Sequence, residues 1–137
     1  MRINWLAILV ALIAQQVLGY CWYTVLFANA WAAGLGKRPE DLAPTPGPFV
    51  LAILGAVLLA IGVHWIIQRT SLQGVKAGAL LGLCIGFFIT MPPVVVHEAF
   101  LGHPAVILAI DGVKEVVTAL LVGAILGAWP KKLAVKD

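Results

Sequence analysis

Residues 105–129 read AVILAIDGVKEVVTALLVGAILGAW. The run is long enough to cross a hydrocarbon core, which takes about 20 apolar residues over roughly 30 Å. Yet it carries Asp111, Lys114 and Glu115 in its first third. At 1.5 Å of rise per residue, Glu115 lies about 21 Å and Asp111 about 27 Å from Trp129. With Trp129 at one boundary, Glu115 falls well inside the other, only Asp111 reaches headgroups, and Lys114 can snorkel along its stem. An isolated charge at that depth costs at least about 2.5 to 3.5 kcal/mol, so the three side chains are expected to face protein or a wet cavity. Asp111 and Glu115 share a helix face one turn apart, with Lys114 beside Asp111 at i+3. An ion-paired structural cluster and a solute, proton or metal site both fit this pattern.

The rest of the chain obeys the same arithmetic. Of 137 residues, 62% are hydrophobic and 11% charged, and the mean hydropathy is +1.03. Nine basic and six acidic side chains cannot cover the surface of a water-soluble domain of this size. Four apolar runs, at about 3–27, 48–67, 74–96 and 105–129, approach or exceed the crossing length. They are continuous rather than alternating and rich in Ala, Leu and Gly, which argues for helices over strands. The expected fold class is all-α: one domain over 1–137, a polytopic four-transmembrane-helix bundle whose partner is the lipid bilayer. Only the first connection, 28–47, is long; Lys37 to Leu42 has room for a helical turn, and Pro44, Pro46 and Pro48 argue for an extended approach to the second run. The net charge of +3 is scattered at the ends of apolar runs, without the basic stripe that binds nucleic acid. Cys21 and Cys84 fall at different depths and read as packing residues, not a disulfide.

Two independent signals set the orientation. Arg2, Arg69, Lys76, Lys131, Lys132 and Lys136 share one side, against Lys37 and Arg38 on the other, so the positive-inside rule puts both termini in the cytoplasm. Trp5, Trp65 and Trp129 mark the inner interface, while Tyr20, Trp22, Tyr23 and Trp31 gather at the outer one. The first run exceeds the about 7 to 15 residues of a secretory signal core and is expected to be retained, despite Ala28-Asn29-Ala30 downstream.

Small residues supply the packing signals. Gly74, Gly78, Gly82 and Gly86 recur every four residues, as do Ala119, Gly123 and Gly127, and Ala52, Ala56 and Ala60. Such glycine-zipper stripes let backbones approach closely where hydrophobic burial gives no drive. They pack the helices of one subunit, or the longest stripe forms a homo-oligomer face.

Several polar groups compete for a role. Gln15 and Gln16 sit mid-run, and Gln16, Tyr20, Tyr23 and Phe27 succeed one another at helical spacing, offering amide and hydroxyl partners to the acidic group; ordinary interhelical hydrogen bonds explain the same face. Pro92 and Pro93 free the carbonyls of Phe88 and Ile89 and predict a kink or a helix end. His97, Glu98 and His103 imitate a zinc-protease motif, but a spacing of six turns the second histidine about 240° away on a helix. Gly102 and Pro104 favour a turn there, through which the three residues come within reach of Asp111 to hold a metal, or remain solvated interfacial groups. His64 reads as a residue with one local hydrogen bond.

The opening Asn4-Trp5-Leu6-Ala7, then Gly19-Tyr20-Cys21-Trp22-Tyr23, Leu26-Phe27 and Trp31, resembles the start of an uncharacterised bacterial membrane family, domain of unknown function 1761. The closing Ile110-Asp111-Gly112 with Leu120 to Trp129 is similar to that family's last helix. The resemblance implies a compact four-helix inner-membrane protein, with Trp22, Tyr23 and Asp111 at family-like positions. Lys114 and Glu115 depart from the pattern, and no activity or cofactor comes with it.

The expected function is non-enzymatic: binding or transport of a small polar solute or ion by a homo-oligomer in the bacterial cytoplasmic membrane. Asp111 and Glu115 are the principal contacts, Lys114 the counter-ion, and Gln16, Tyr20 and Tyr23 the orienting groups. The alternatives are an accessory subunit of a larger membrane complex, docked through glycine-lined faces, and a metalloenzyme using His97, Glu98 and His103.

Overall fold

The structure, a computed structural model, describes residues 3–42 and 45–129. Arg2, Pro44, Lys131, Lys132 and Lys136 lie outside the described residues. Those described form helices and turns: α1 (Trp5–Cys21) running into a π turn (Trp22–Leu26), α2 (Ala28–Gly34), a short 3-10 turn (Pro39–Asp41), α3 (Pro46–Thr70), α4 (Val75–Ile85), a second π turn (Gly86–Thr90), α5 (Met91–Phe100) and α6 (Ala105–Ala128). Three stretches are long and apolar enough to cross a membrane: Trp5–Leu26, Pro46–Thr70 and Val75–Phe100. The fourth long helix, α6, has 24 residues and holds Asp111, Lys114 and Glu115 in its interior.

Chain direction alternates through the bundle. Asn4 Nδ2 donates to the Trp129 carbonyl at one end (2.9 Å), and Trp22 Nε1 donates to the Ile110 carbonyl near the other (3.1 Å), so α1 and α6 are antiparallel. Gln15 Nε2 reaches the Ala56 carbonyl (3.2 Å) and the Asn4 backbone N–H reaches His64 Nε2 (3.3 Å), which sets α3 antiparallel to α1. α6 is the hub: α1, α2, α3, α4 and α5 all pack on it.

The closest of these contacts is α4 on α6, and glycine makes it possible. A methyl group at Gly78 would overlap the Gly123 carbonyl, and one at Gly82 the Ala119 carbonyl; at Gly86 it would lie 2.7 Å from Val116 Cα. Gly74 donates its N–H to the Gly127 carbonyl (2.8 Å). Both stripes therefore meet each other within one chain. The stripes thus pack the helices of one subunit, the first of the two readings, and the four-glycine face is covered by α6 and not left open for a second copy. In α3 only Ala56 and Ala60 of the alanine stripe are buried; residues 45–55 are exposed throughout. The buried core below the centre of the bundle is Ala7, Ile8, Ala11, Ala60, Val63, Ile67, Ile85, Ala119, Val122 and Leu126.

Three local expectations are corrected. The first connection is not all loop: the Ala-rich stretch Ala28–Gly34 forms α2, which is closed where Gly36, at φ 68°, lets Lys37 N–H return to the Ala32 carbonyl (2.9 Å), a left-handed C-terminal cap. Pro46 and Pro48 do not keep the chain extended but open α3 behind extended Thr45, since first-turn N–H groups have no helical partner to lose. Pro92 and Pro93 do not end the third run: they stand in the first turn of α5, directly behind a π turn, and the helix continues to Phe100. The helical turn expected between Lys37 and Leu42 is present as the 3-10 turn. Cys21 and Cys84 are both free thiols.

A candidate polar site at the charged end of the last helix

Both π turns lie at the level of the charged third of α6. Gly86 meets Val116, so the turn Gly86–Thr90 sits opposite the start of α6, and Trp22 in the other turn touches Ile110. A π turn adds a residue to a helical turn and re-aims the side chains beyond it; such insertions recur at functional sites. In the first, Phe27 N–H returns to the Trp22 carbonyl (3.0 Å). In the second, Thr90 Oγ1 donates to the Gly86 carbonyl (3.2 Å). The first turn lets α1 present Trp22 and Tyr23 together to α6 and then reverse into α2, which brings Trp31 back over Tyr23, with ring centroids 4.6 Å apart.

The centre of the site is Asp111. The Tyr23 hydroxyl donates to Asp111 Oδ1 at 2.7 Å. The Trp31 indole N–H is buried without a hydrogen bond of normal geometry among the described residues, and it lies within electrostatic reach of the same carboxylate. Glu98 and Glu115 both act on the Tyr23 hydroxyl at longer range. Lys114 Nζ is 2.9 Å from Glu115 Oε1, with about a quarter of each side chain exposed (24% and 23%). Glu98 and His103 are paired. That last pair is made by a helix cap: Gly102, at φ 74°, donates to the Ala99 carbonyl, and His103 N–H returns to the Glu98 carbonyl (3.2 Å), folding the His103 ring back over Glu98.

Set against the expectations, Tyr23 meets Asp111 and Lys114 meets Glu115 one turn further along α6, while Glu98, paired with His103, stands at longer range. Lys114 takes Glu115 as its direct partner in place of Asp111, whose hydrogen-bonding partner is the neutral Tyr23. Tyr20 is 67% exposed and Gln16 only partly buried; neither makes a hydrogen bond into the site among the described residues. The buried face of α1 runs instead through Ala7, Ile8, Ala11, Gln15 and Trp22, one residue round from the face expected. Gln15 spans α1 and α3, donating to the carbonyls of Ala11 and Ala56 (3.2 Å each). His97 is exposed on α5, and no group of three or more His, Cys, Asp or Glu side chains suited to a metal occurs among the described residues.

One buried polar residue escaped sequence reasoning. Thr118 is 5% exposed, and its hydroxyl has no hydrogen-bond partner among the described residues. Its only sequence signal is spacing: it stands three residues after Glu115 and seven after Asp111. At the opposite end of the bundle His64, 1% exposed, accepts from the Asn4 backbone at Nε2 and lies 3.0 Å from Gln68 Nε2.

Comparison with known families places the chain. A family model described as "Protein of unknown function (DUF1761)" matches residues 6–127, and the chain belongs to that family. No curated protein and no solved structure matches it.

Proposed function

We propose that this member of the DUF1761 family crosses the bacterial cytoplasmic membrane four times, with both termini in the cytoplasm, and binds or moves a small polar solute or ion at the cluster around Asp111. The observation that carries the reading is the convergence of Tyr23, Trp31, Glu98 and Asp111 from separate elements onto one end of α6. Polar groups at membrane depth are costly and are kept where they serve a solute path.

The fourth crossing is α6. Its 24 residues span about 36 Å, and its charged side chains have partners within the bundle. Orientation rests on Arg69 and Lys76 at the Trp65 and Trp129 end, against Lys37 and Arg38 at the other. Arg38 is also offset there by Glu40 and Asp41, at 3.3 and 3.1 Å. Assembly as a homo-oligomer has no support from the glycine stripe. Residues 45–55, exposed throughout, are the face left for a second copy. The same exposure favours a second reading, an accessory subunit seated on a larger membrane complex. Metalloenzyme chemistry at His97, Glu98 and His103 loses ground, since among the described residues the three do not gather into a group suited to a metal.

The test is direct. Purified protein in liposomes is assayed for binding and flux of protons, alkali and divalent cations and small polar solutes, with Asp111→Asn and Glu115→Gln as variants. Saturable binding lost in Asp111→Asn supports the reading, and its absence for every solute removes it. Gentle purification from the native membrane separates the two assemblies: a stoichiometric larger partner selects the accessory subunit, and a homogeneous self-assembly selects the homo-oligomer.

A further inference from the structure

We infer that the polar site reaches one turn deeper than its charged residues, to a subsite formed by Thr118 and Gln15, and that its ligand is a small monovalent cation. The inference rests on the binding role proposed for the Asp111 cluster and adds the ligand class and the innermost contacts.

With Asn4 bonded at Trp129 and Trp22 at Ile110, the antiparallel register sets Gln15 level with Val117 and Thr118. Both Gln15 and Thr118 are more than nine-tenths buried. Gln15 commits its amide hydrogens to the carbonyls of Ala11 and Ala56, which leaves its Oε1 as an acceptor. The Thr118 hydroxyl is buried and unpartnered among the described residues, whereas a helical threonine ordinarily satisfies its hydroxyl on the carbonyl one turn back. Side chains on a helix lean towards its N-terminus, so Thr118 is aimed up α6 at Glu115, about 4.5 Å of rise away, and at Asp111 beyond. Val122, one turn further along α6, and Ala11, one turn before Gln15 on α1, already belong to the apolar core, and the polar track ends there.

Charge decides the ligand. Glu115 is paired with the Lys114 ammonium and Glu98 is bonded to the His103 ring, but the hydrogen-bonding partner of Asp111 is a phenol. The cluster therefore carries an acid without a direct counter-ion at its mouth and neutral oxygens at its floor. That arrangement repels anions. Hard cations take carboxylate, carbonyl and hydroxyl oxygens, and the one charge of Asp111 above neutral donors is balanced by a monovalent ion.

The experiment is equilibrium binding of radioactive sodium, with potassium and lithium as competitors, to the full chain in detergent and a bulky organic cation as background salt. Wild type is expected to bind one of these ions saturably. Thr118→Val, which keeps the shape and removes the oxygen, should weaken binding by about 10- to 100-fold, while Thr118→Ser restores it. If the valine variant fails to fold, Thr118→Ala serves in its place. Wild-type affinity in the folded valine or alanine variant overturns the subsite. Saturable, Asp111-dependent binding of an anion or neutral solute alone overturns the cation assignment and leaves the proposed function standing; no binding of any solute overturns both.

Discussion

Tyr23 and Asp111, 88 positions apart in sequence, meet through a 2.7 Å hydrogen bond from the tyrosine hydroxyl to Oδ1. That bond joins the end of the first long helix to the start of the last, at the point where the chain can least tolerate an unpaired acid. Tyr23→Phe should therefore lower stability by about 1–3 kcal/mol, the cost of leaving a half-buried acid without its hydrogen bond. Thermal unfolding in detergent measures it. Tyr20→Phe, at an exposed position, should change it by less than about 0.5 kcal/mol, and equal losses for the two would deny the bond its role.

The α4–α6 seam makes a sharper contrast. Gly78→Ala and Gly82→Ala each drive a methyl group into the facing backbone, and the expected loss is at least about 1–3 kcal/mol. Gly55→Ala and Gly62→Ala meet open space and should be neutral or slightly stabilising in mid-helix. Melting curves of the four variants check the pairing, and comparable melting for all would show that α4 and α6 do not touch as described.

Lys114 and Glu115 form a pair whose halves depend on each other. Lys114→Met strands a carboxylate and should cost about 1–3 kcal/mol. The double variant Lys114→Met with Glu115→Gln removes both charges and should recover most of that loss, as replaced ion pairs often do. A double variant no better than the single one would indicate that Lys114 acts on some other group.

Asn4 holds two elements at once. Its Oδ1 accepts from the Ala7 backbone (3.2 Å) while its Nδ2 reaches the Trp129 carbonyl. Asn4→Ala should cost about 0.5–2 kcal/mol as a lost helix cap. Asn4→Asp keeps the cap and loses the bond to Trp129, so it should fall between the two. Unfolding midpoints in that order support both contacts; an aspartate variant as weak as the alanine variant assigns the effect to Trp129 alone.

Much of the site was legible because charge at depth is conspicuous. Asp111, Lys114 and Glu115 stand out in any apolar run, and Tyr23 is found by helical spacing along α1. The choice of Gln15 over Gln16 was not legible: both are mid-helix amides, and only packing against α3 decides which turns inward. Tyr20 shares a spacing with Tyr23, but the π turn begins between them and re-aims only the residues on its far side. Thr118 gave no signal beyond its spacing from Glu115 and Asp111, since threonine in a membrane-length helix is ordinary and its hydroxyl becomes informative only when no carbonyl receives it.

From sequence alone came the all-helical class, the long apolar runs, the small-residue stripes and the need to shelter the charges of residues 105–129, because hydropathy, spacing and desolvation act locally along a chain. Tertiary structure decided which stripe meets which, that α6 is the hub, and which acid lacks a direct counter-ion. Those outcomes depend on register between helices, and register is set by close backbone contacts such as Gly78 on Gly123, which no single helix contains.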